Sequence, residues 1–114
     1  MFRSVFSALL ACSVVLSAPA ISATYSASGT VSLLRSHDST LGGLDWFALT
    51  NLSSLGTCGV YNGMVIVRFN DDDRGWRQFA MVLAARTKNS TLTVTIDDSK
   101  KDSYGYCLLQ YLDY

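Results

Sequence analysis

The chain has 114 residues, nine basic and nine acidic, and a formal net charge of zero. That balance excludes a nucleic-acid binder, which needs a basic patch or stripe, and gives no electrostatic pull toward anionic lipid. With one His, no Glu and three Cys, little material is left for a catalytic or metal-binding constellation.

Residues 1–23 read as a secretory signal. Arg3 is a short positive start, and residues 5–16 form an apolar run too short to span a bilayer. Ala18-Pro19-Ala20 and Ile21-Ser22-Ala23 both fit the small-x-small cleavage rule. Cleavage after Ala23 is favoured over cleavage after Ala20, and removing residues 1–23 from the 114 leaves a domain of 91, residues 24–114. Leu9-Leu10-Ala11-Cys12 also matches a lipoprotein box, but the apolar character runs on to Ala20, so Cys12 is read as part of the signal. Export to the periplasm or beyond leaves Cys58 and Cys107, and an even cysteine number in a small exported domain predicts a disulfide between them.

Residues 24–28 are small and polar. Residues 29–35 predict a first strand with Val31 and Leu33 inward, followed by a polar connection through His37, Asp38, Gly42 and Gly43. Residues 45–50 predict a second strand, with Phe47 and Leu49 on one face and Trp46 and Ala48 on the other. A loop carrying Cys58 leads to a third strand, 64–69, whose outer face would hold Met64, Ile66 and Arg68. Apolar residues there would need cover, from the helix or from a second subunit.

Asp71-Asp72-Asp73 then announces a helix, because Asp caps orphan amides and suits the positive end of the dipole. Trp76, Phe79, Ala80, Leu83 and Thr87 recur at steps of three and four and predict the packed face. Asn89 fits a left-handed C-cap. Leu92, Val94 and Ile96 alternate with threonines and predict a fourth strand. A charged turn over 97–105 precedes a fifth strand, 106–112.

No repeat or linker divides the chain, so one domain is expected. It is mainly β with one helix, in the order of three strands, helix, two strands. That order matches the OB-fold, a five-stranded barrel with its helix between the third and fourth strands; an open antiparallel sheet crossed by one helix is the alternative.

The signal segment, the Gly29-x-Val31 strand, the lone loop Cys58, the run Phe79-Ala80-Met81-Val82-Leu83-Ala84-Ala85 before Leu92-x-Val94-x-Ile96, and Cys107 in the last strand together carry a resemblance. The chain resembles small secreted bacterial proteins related to the B subunits of subtilase-cytotoxin-like and pertussis-like toxins. The resemblance implies an OB-fold, carbohydrate binding, a pentameric homo-oligomer and, in the toxins, an A-subunit partner. It transfers no sugar-contacting residue to a position in this chain.

Among chemistry-bearing residues, His37 and Asp38 lie beside Ser36 and Ser39, but adjacency in sequence is not triad geometry. They read as an exposed polar loop, and the protein reads as non-enzymatic. The three Asp at 71–73 lack the spaced ligands and closing Glu of a calcium loop, so neither a metal nor another cofactor is expected. Aromatics near loops and strand ends suit the apolar faces of sugar rings. Trp46, Tyr104 and Tyr106 are the candidate ligand-binding residues, with Trp46 equally able to pack inside, and Trp76 is assigned to the core side of the helix. The expected function is a secreted binding module for a glycan or a protein surface; the alternative is a structural or accessory envelope protein without a small ligand.

Overall fold

The computed structural model describes residues 23–37 and 45–114. The predicted signal, apart from Ala23, and the connection from Asp38 to Gly43 lie outside the described residues.

The described chain forms strands β1 (Thr24–Gly29), β2 (Val31–Arg35), β3 (Trp46–Leu49), β4 (Val60–Tyr61), β5 (Met64–Val65) and β6 (Val67–Arg68). Helix α1 (Asp73–Lys88) and strands β7 (Leu92–Lys101) and β8 (Cys107–Asp113) follow. Six strands make one mixed sheet in the order β1-β7-β8-β6-β3-β2, and β4 and β5 form a separate hairpin. All pairs in the large sheet are antiparallel except β6 with β8. The mainly-β class with one helix is therefore as expected. The expected count of five strands becomes six in the sheet, and its two edge strands, β1 and β2, are separated in sequence by Thr30 alone.

Strand β1 was not expected, because residues 24–28 carry no apolar alternation. Hydroxyls do that work instead. Across the β1–β7 register, the hydroxyls of Ser26 and Thr95 lie 2.9 Å apart and those of Ser28 and Thr93 2.7 Å apart. Nor do Val31 and Leu33 share the one inward face expected of them. A register shift between Val31 and Leu33 puts Val31 in the main core and turns Leu33 to the opposite face, beside Trp46 and Ala48.

The main core gathers Phe47, Leu49, Val65, Val67, Leu92, Val94, Ile96 and Leu109, with Val82 and Ala85 of the helix. A second, smaller cluster lies across the sheet: Trp46, Ala48 and Ile66, with Leu33, Met64 and Tyr106 packed against them. This corrects the outer face assigned to the third strand. Ile66 is fully buried and Arg68 nearly so, covered by the chain's own side chains, so that face gives no support for a subunit contact. The hairpin β4–β5 turns on Asn62 and Gly63, both at positive φ (50° and 75°), the backbone that two-residue hairpins favour.

The helix has the expected ends. The Asp72 carboxylate accepts from the amides of Arg74 and Gly75, and Asn89 closes the C-terminus in the left-handed conformation. Its packed face is different. Gly75, Val82 and Ala85 are buried and Phe79 half-buried, whereas Trp76 is 73 % exposed and Leu83 48 % exposed. The cause is Gly75. An added Cβ there would lie 1.8 Å from the Asn70 carbonyl oxygen, so backbone meets backbone and the glycine side is forced inward. Trp76, one residue later, is turned outward by about 100°.

Cys58 and Cys107 form the expected disulfide. It joins the loop before the hairpin to the first residue of β8. The turn predicted over 97–105 is shorter, because β7 continues through Asp97, Asp98, Ser99, Lys100 and Lys101.

Candidate functional site

The structure brings Trp46, Tyr104 and Tyr106 together, but not as a ligand platform centred on the indole. Trp46 is only 3 % exposed, because β3 is buried on both faces. The Arg35 guanidinium lies 4.9 Å above its ring, Tyr61 meets it edge-on at 6.0 Å, and half-buried Tyr106 packs in the same cluster. Tyr104 is exposed and stacks on Tyr106 at 6.2 Å. Asp102 shapes that turn: one of its oxygens accepts from the amides of Tyr104 and Tyr106 at 2.9 and 3.0 Å. Its other oxygen lies 3.5 Å from Arg68 Nε, and a terminal nitrogen of the same guanidinium donates to Asp71 at 3.1 Å. Arg68 thus links the tyrosine turn to the start of the helix.

His37 is held by backbone contact, its amide donating to Asp45 at 3.0 Å, and Ser36 Oγ donates to the same Asp45 oxygen at 2.8 Å. Asp38 and Ser39 lie outside the described residues. Among the described residues, no group of three or more metal-ligating side chains occurs.

One of the concave features among the described residues lies where the helix begins. A cleft of about 220 Å³ is lined by Asp45, Phe69, Asn70, Asp71, Asp72, Gly75, Trp76 and Phe79. Each side follows from local structure. Asp45 precedes β3, and its carbonyl accepts from the Phe69 amide at 3.1 Å. Asn70 is fixed by donating to the Leu109 carbonyl at 2.7 Å and to Gln78 at 3.1 Å. Gly75 lets the helix approach closely enough to form the opposite wall.

Trp76 is braced from the interior outward. Ring centroids step from Phe47 to Phe69 at 5.1 Å, to Phe79 at 5.4 Å and to Trp76 at 6.5 Å, the last contact edge-on at 68°. Such edge-to-face contacts orient an aromatic ring. One face of a large indole is therefore held in place at the mouth of a cavity while remaining in solvent. The helical spacing concealed this residue. Gly75 was the available signal, since a glycine in the first turn of a helix marks a close backbone approach and so the inward side.

Two carboxyls titrate below their ordinary range. Arg74, donating to Asp72 through its side chain and its amide, holds Asp72 down, and the hydroxyl and amide of Ser99 hold Asp97 down. A carboxyl with a depressed folded pKa stabilises the fold above about pH 4 and loses that contribution as pH falls further. The melting temperature is therefore expected to fall on acidification below about pH 4. Asp72→Asn keeps a good N-cap but removes the charge, and its melting temperature should fall less steeply over the same acid range, as read by circular dichroism.

The fold and the cleft define a small disulfide-bonded, mainly-β domain with one helix and an aromatic-walled cleft at the helix start. No protein-family model matches the chain, and no curated protein or solved structure matches it either. Among the described residues, no helix is long and apolar enough to cross a membrane.

Proposed function

We propose that this is an exported, non-enzymatic binding module that recognises carbohydrate through the cleft beside Trp76. The observation that carries the reading is the indole: 73 % exposed, braced by Phe79, and facing a cavity edged by hydrogen-bonding side chains. Sugar rings present an apolar C–H face and a rim of hydroxyls. An exposed aromatic plane next to carboxylate and amide groups answers both. The disulfide fits an oxidising compartment outside the cytosol, which supports residues 1–23 as a signal and a periplasmic or secreted destination.

The architecture is read as a variant of the OB barrel. Three features support this. β1 and β2 form the two edges of the sheet yet are separated only by Thr30, so they can be taken as one bent strand bordering both sides. β5 and β6 flank Ile66 alone and can also be taken as one strand. Counted that way, and setting aside the two-residue hairpin strand β4, the helix falls between the third and fourth of five strands, and the third and fifth pair in parallel. The same reading keeps open the toxin-B-like comparison and its oligomeric ring.

Trp76→Ala is expected to weaken glycan binding at least tenfold, about 1.4 kcal/mol. Because the side chain is mostly exposed, the melting curve should change by no more than about 0.5 kcal/mol in stability. Glycan-array binding by wild type and variant, with light scattering on the same samples, checks this. Equal binding by the variant would rule out the cleft as the site. Absence of binding by the wild type would favour a structural or accessory envelope protein.

A further inference from the structure

We propose that the cleft selects an uncharged terminal sugar ring and rejects acidic sugars such as sialic acid. This rests on the carbohydrate-binding reading and adds the class of sugar. Among the described residues the cavity is lined by three aromatic rings, one amide and three carboxylates, with no cationic side chain. Two arginines pair with the lining carboxylates and are committed to them. Arg68 is nearly buried and donates to both oxygens of Asp71 at 3.1 and 3.3 Å. Arg74 forks onto Asp72 at 3.0 and 3.2 Å and lines a separate depression with Asp97 and Lys100. An anionic sugar would meet carboxylates and would have to strip an arginine from its partner to gain a counter-charge, and both steps disfavour it.

The same arrangement disfavours a bare cation. Asp71 and Asp72 already carry their arginines, and one Asp45 oxygen already accepts from Ser36 Oγ and the His37 amide. Two of the three carboxylates are thereby partly neutralised, which leaves the cleft a small negative excess and free lone pairs that accept hydrogen bonds. Adjacent hydroxyls of a neutral ring are donors that a two-oxygen carboxylate can accept together. Size sets the number of rings. About 220 Å³ lies below the range of about 300–1,000 Å³ for drug-sized pockets. One ring fits against Trp76 and the remainder of the chain stays in solvent.

The test is binding of the full exported protein to paired oligosaccharides that differ only in their terminus: galactose or glucose, the same glycan capped with sialic acid, and the same glycan ending in an amino sugar. The neutral terminus should bind at least tenfold more tightly than either charged one. Asp45→Asn with Asp71→Asn replaces two charges by amides of the same size. With an unchanged melting curve, this variant should narrow the neutral-to-sialylated ratio at least threefold. Tighter binding of the sialylated or the amino terminus would overturn the selectivity while leaving the binding module standing. An unaltered ratio in a well-folded double variant would overturn the role of the carboxylates, and with it the inference. No binding to any terminus would overturn the carbohydrate reading itself.

Discussion

Gly75→Ala should destabilise the domain by about 3 kcal/mol, although it places the better helix former in a helix. In an exposed helix interior this exchange gains up to about 1 kcal/mol. Here the new methyl would sit 1.8 Å from the Asn70 carbonyl oxygen. Relief requires moving Asn70 or the helix. Asn70 is tied to β8 through the Leu109 carbonyl and to the helix through Gln78, so it cannot yield alone. The helix can retreat only by withdrawing Val82 and Ala85 from the main core. Overpacking costs about 1–3 kcal/mol, occasionally more, and a clash against anchored backbone belongs at the upper end, so the clash wins over propensity. For a domain of this length the melting temperature should drop by roughly 12–24 °C, at about 4–8 °C per kcal/mol. The variant should also lose ligand affinity, because Gly75 lines the cleft. A melting temperature at or above that of the wild type would show that the close approach does not constrain the helix.

The same glycine explains much of what could and could not be read from the residues. The helix ends were legible because caps are local chemistry: Asp72 accepts from the first-turn amides, and Asn89 tolerates positive φ at the other end. The alternation from Leu92 to Ile96 and the pairing of Cys58 with Cys107 were legible for similar reasons. The rotation of the helix was not, since periodicity marks Trp76, Ala80 and Leu83 as readily as Gly75, Val82 and Ala85. Only the contact with Asn70, set by tertiary packing, decides between them. Trp46 was ambiguous because alternation identifies an outer face only when that face meets water, and a second cluster around Ile66 covers this one. Strand β1 was invisible because it pairs through its backbone, with serine and threonine hydroxyls rather than alternating apolar side chains meeting across the register. The candidate site inherited both: Trp46, left open between a ligand face and the interior, packs inside, and Trp76, assigned to the core side of the helix, stands at the cleft.

Removing the disulfide, by reduction or by replacing Cys58 and Cys107 together with alanine, should cost about 4 kcal/mol. The two cysteines are 49 residues apart, and closing a loop of that length removes about 4 kcal/mol of chain entropy from the unfolded state. A domain at the lower end of ordinary stability, about 5 kcal/mol, keeps only a thin margin after that loss. The damage should be local before it is global. Cys107 opens β8, whose parallel pairing with β6 spans only Val67–Cys107 and Arg68–Leu108. Parallel neighbours require a long crossover, here through the helix and β7, so two residue pairs are a weak tether on their own. The Gly59 amide also donates to the Gly105 carbonyl at 2.8 Å, beside the bridge. Hydrogen exchange should therefore accelerate first at Val67, Arg68 and Leu108, while the β1–β7 and β7–β8 pairs retain protection until the domain melts. Tyr104 and Tyr106, on the turn that leads into Cys107, should become more mobile, whereas Trp76 should hold its place through Phe79 and Phe69. If reduction leaves the melting temperature within 2–3 °C of the oxidised protein, the bridge is dispensable and the two-pair contact of β6 with β8 is sufficient by itself.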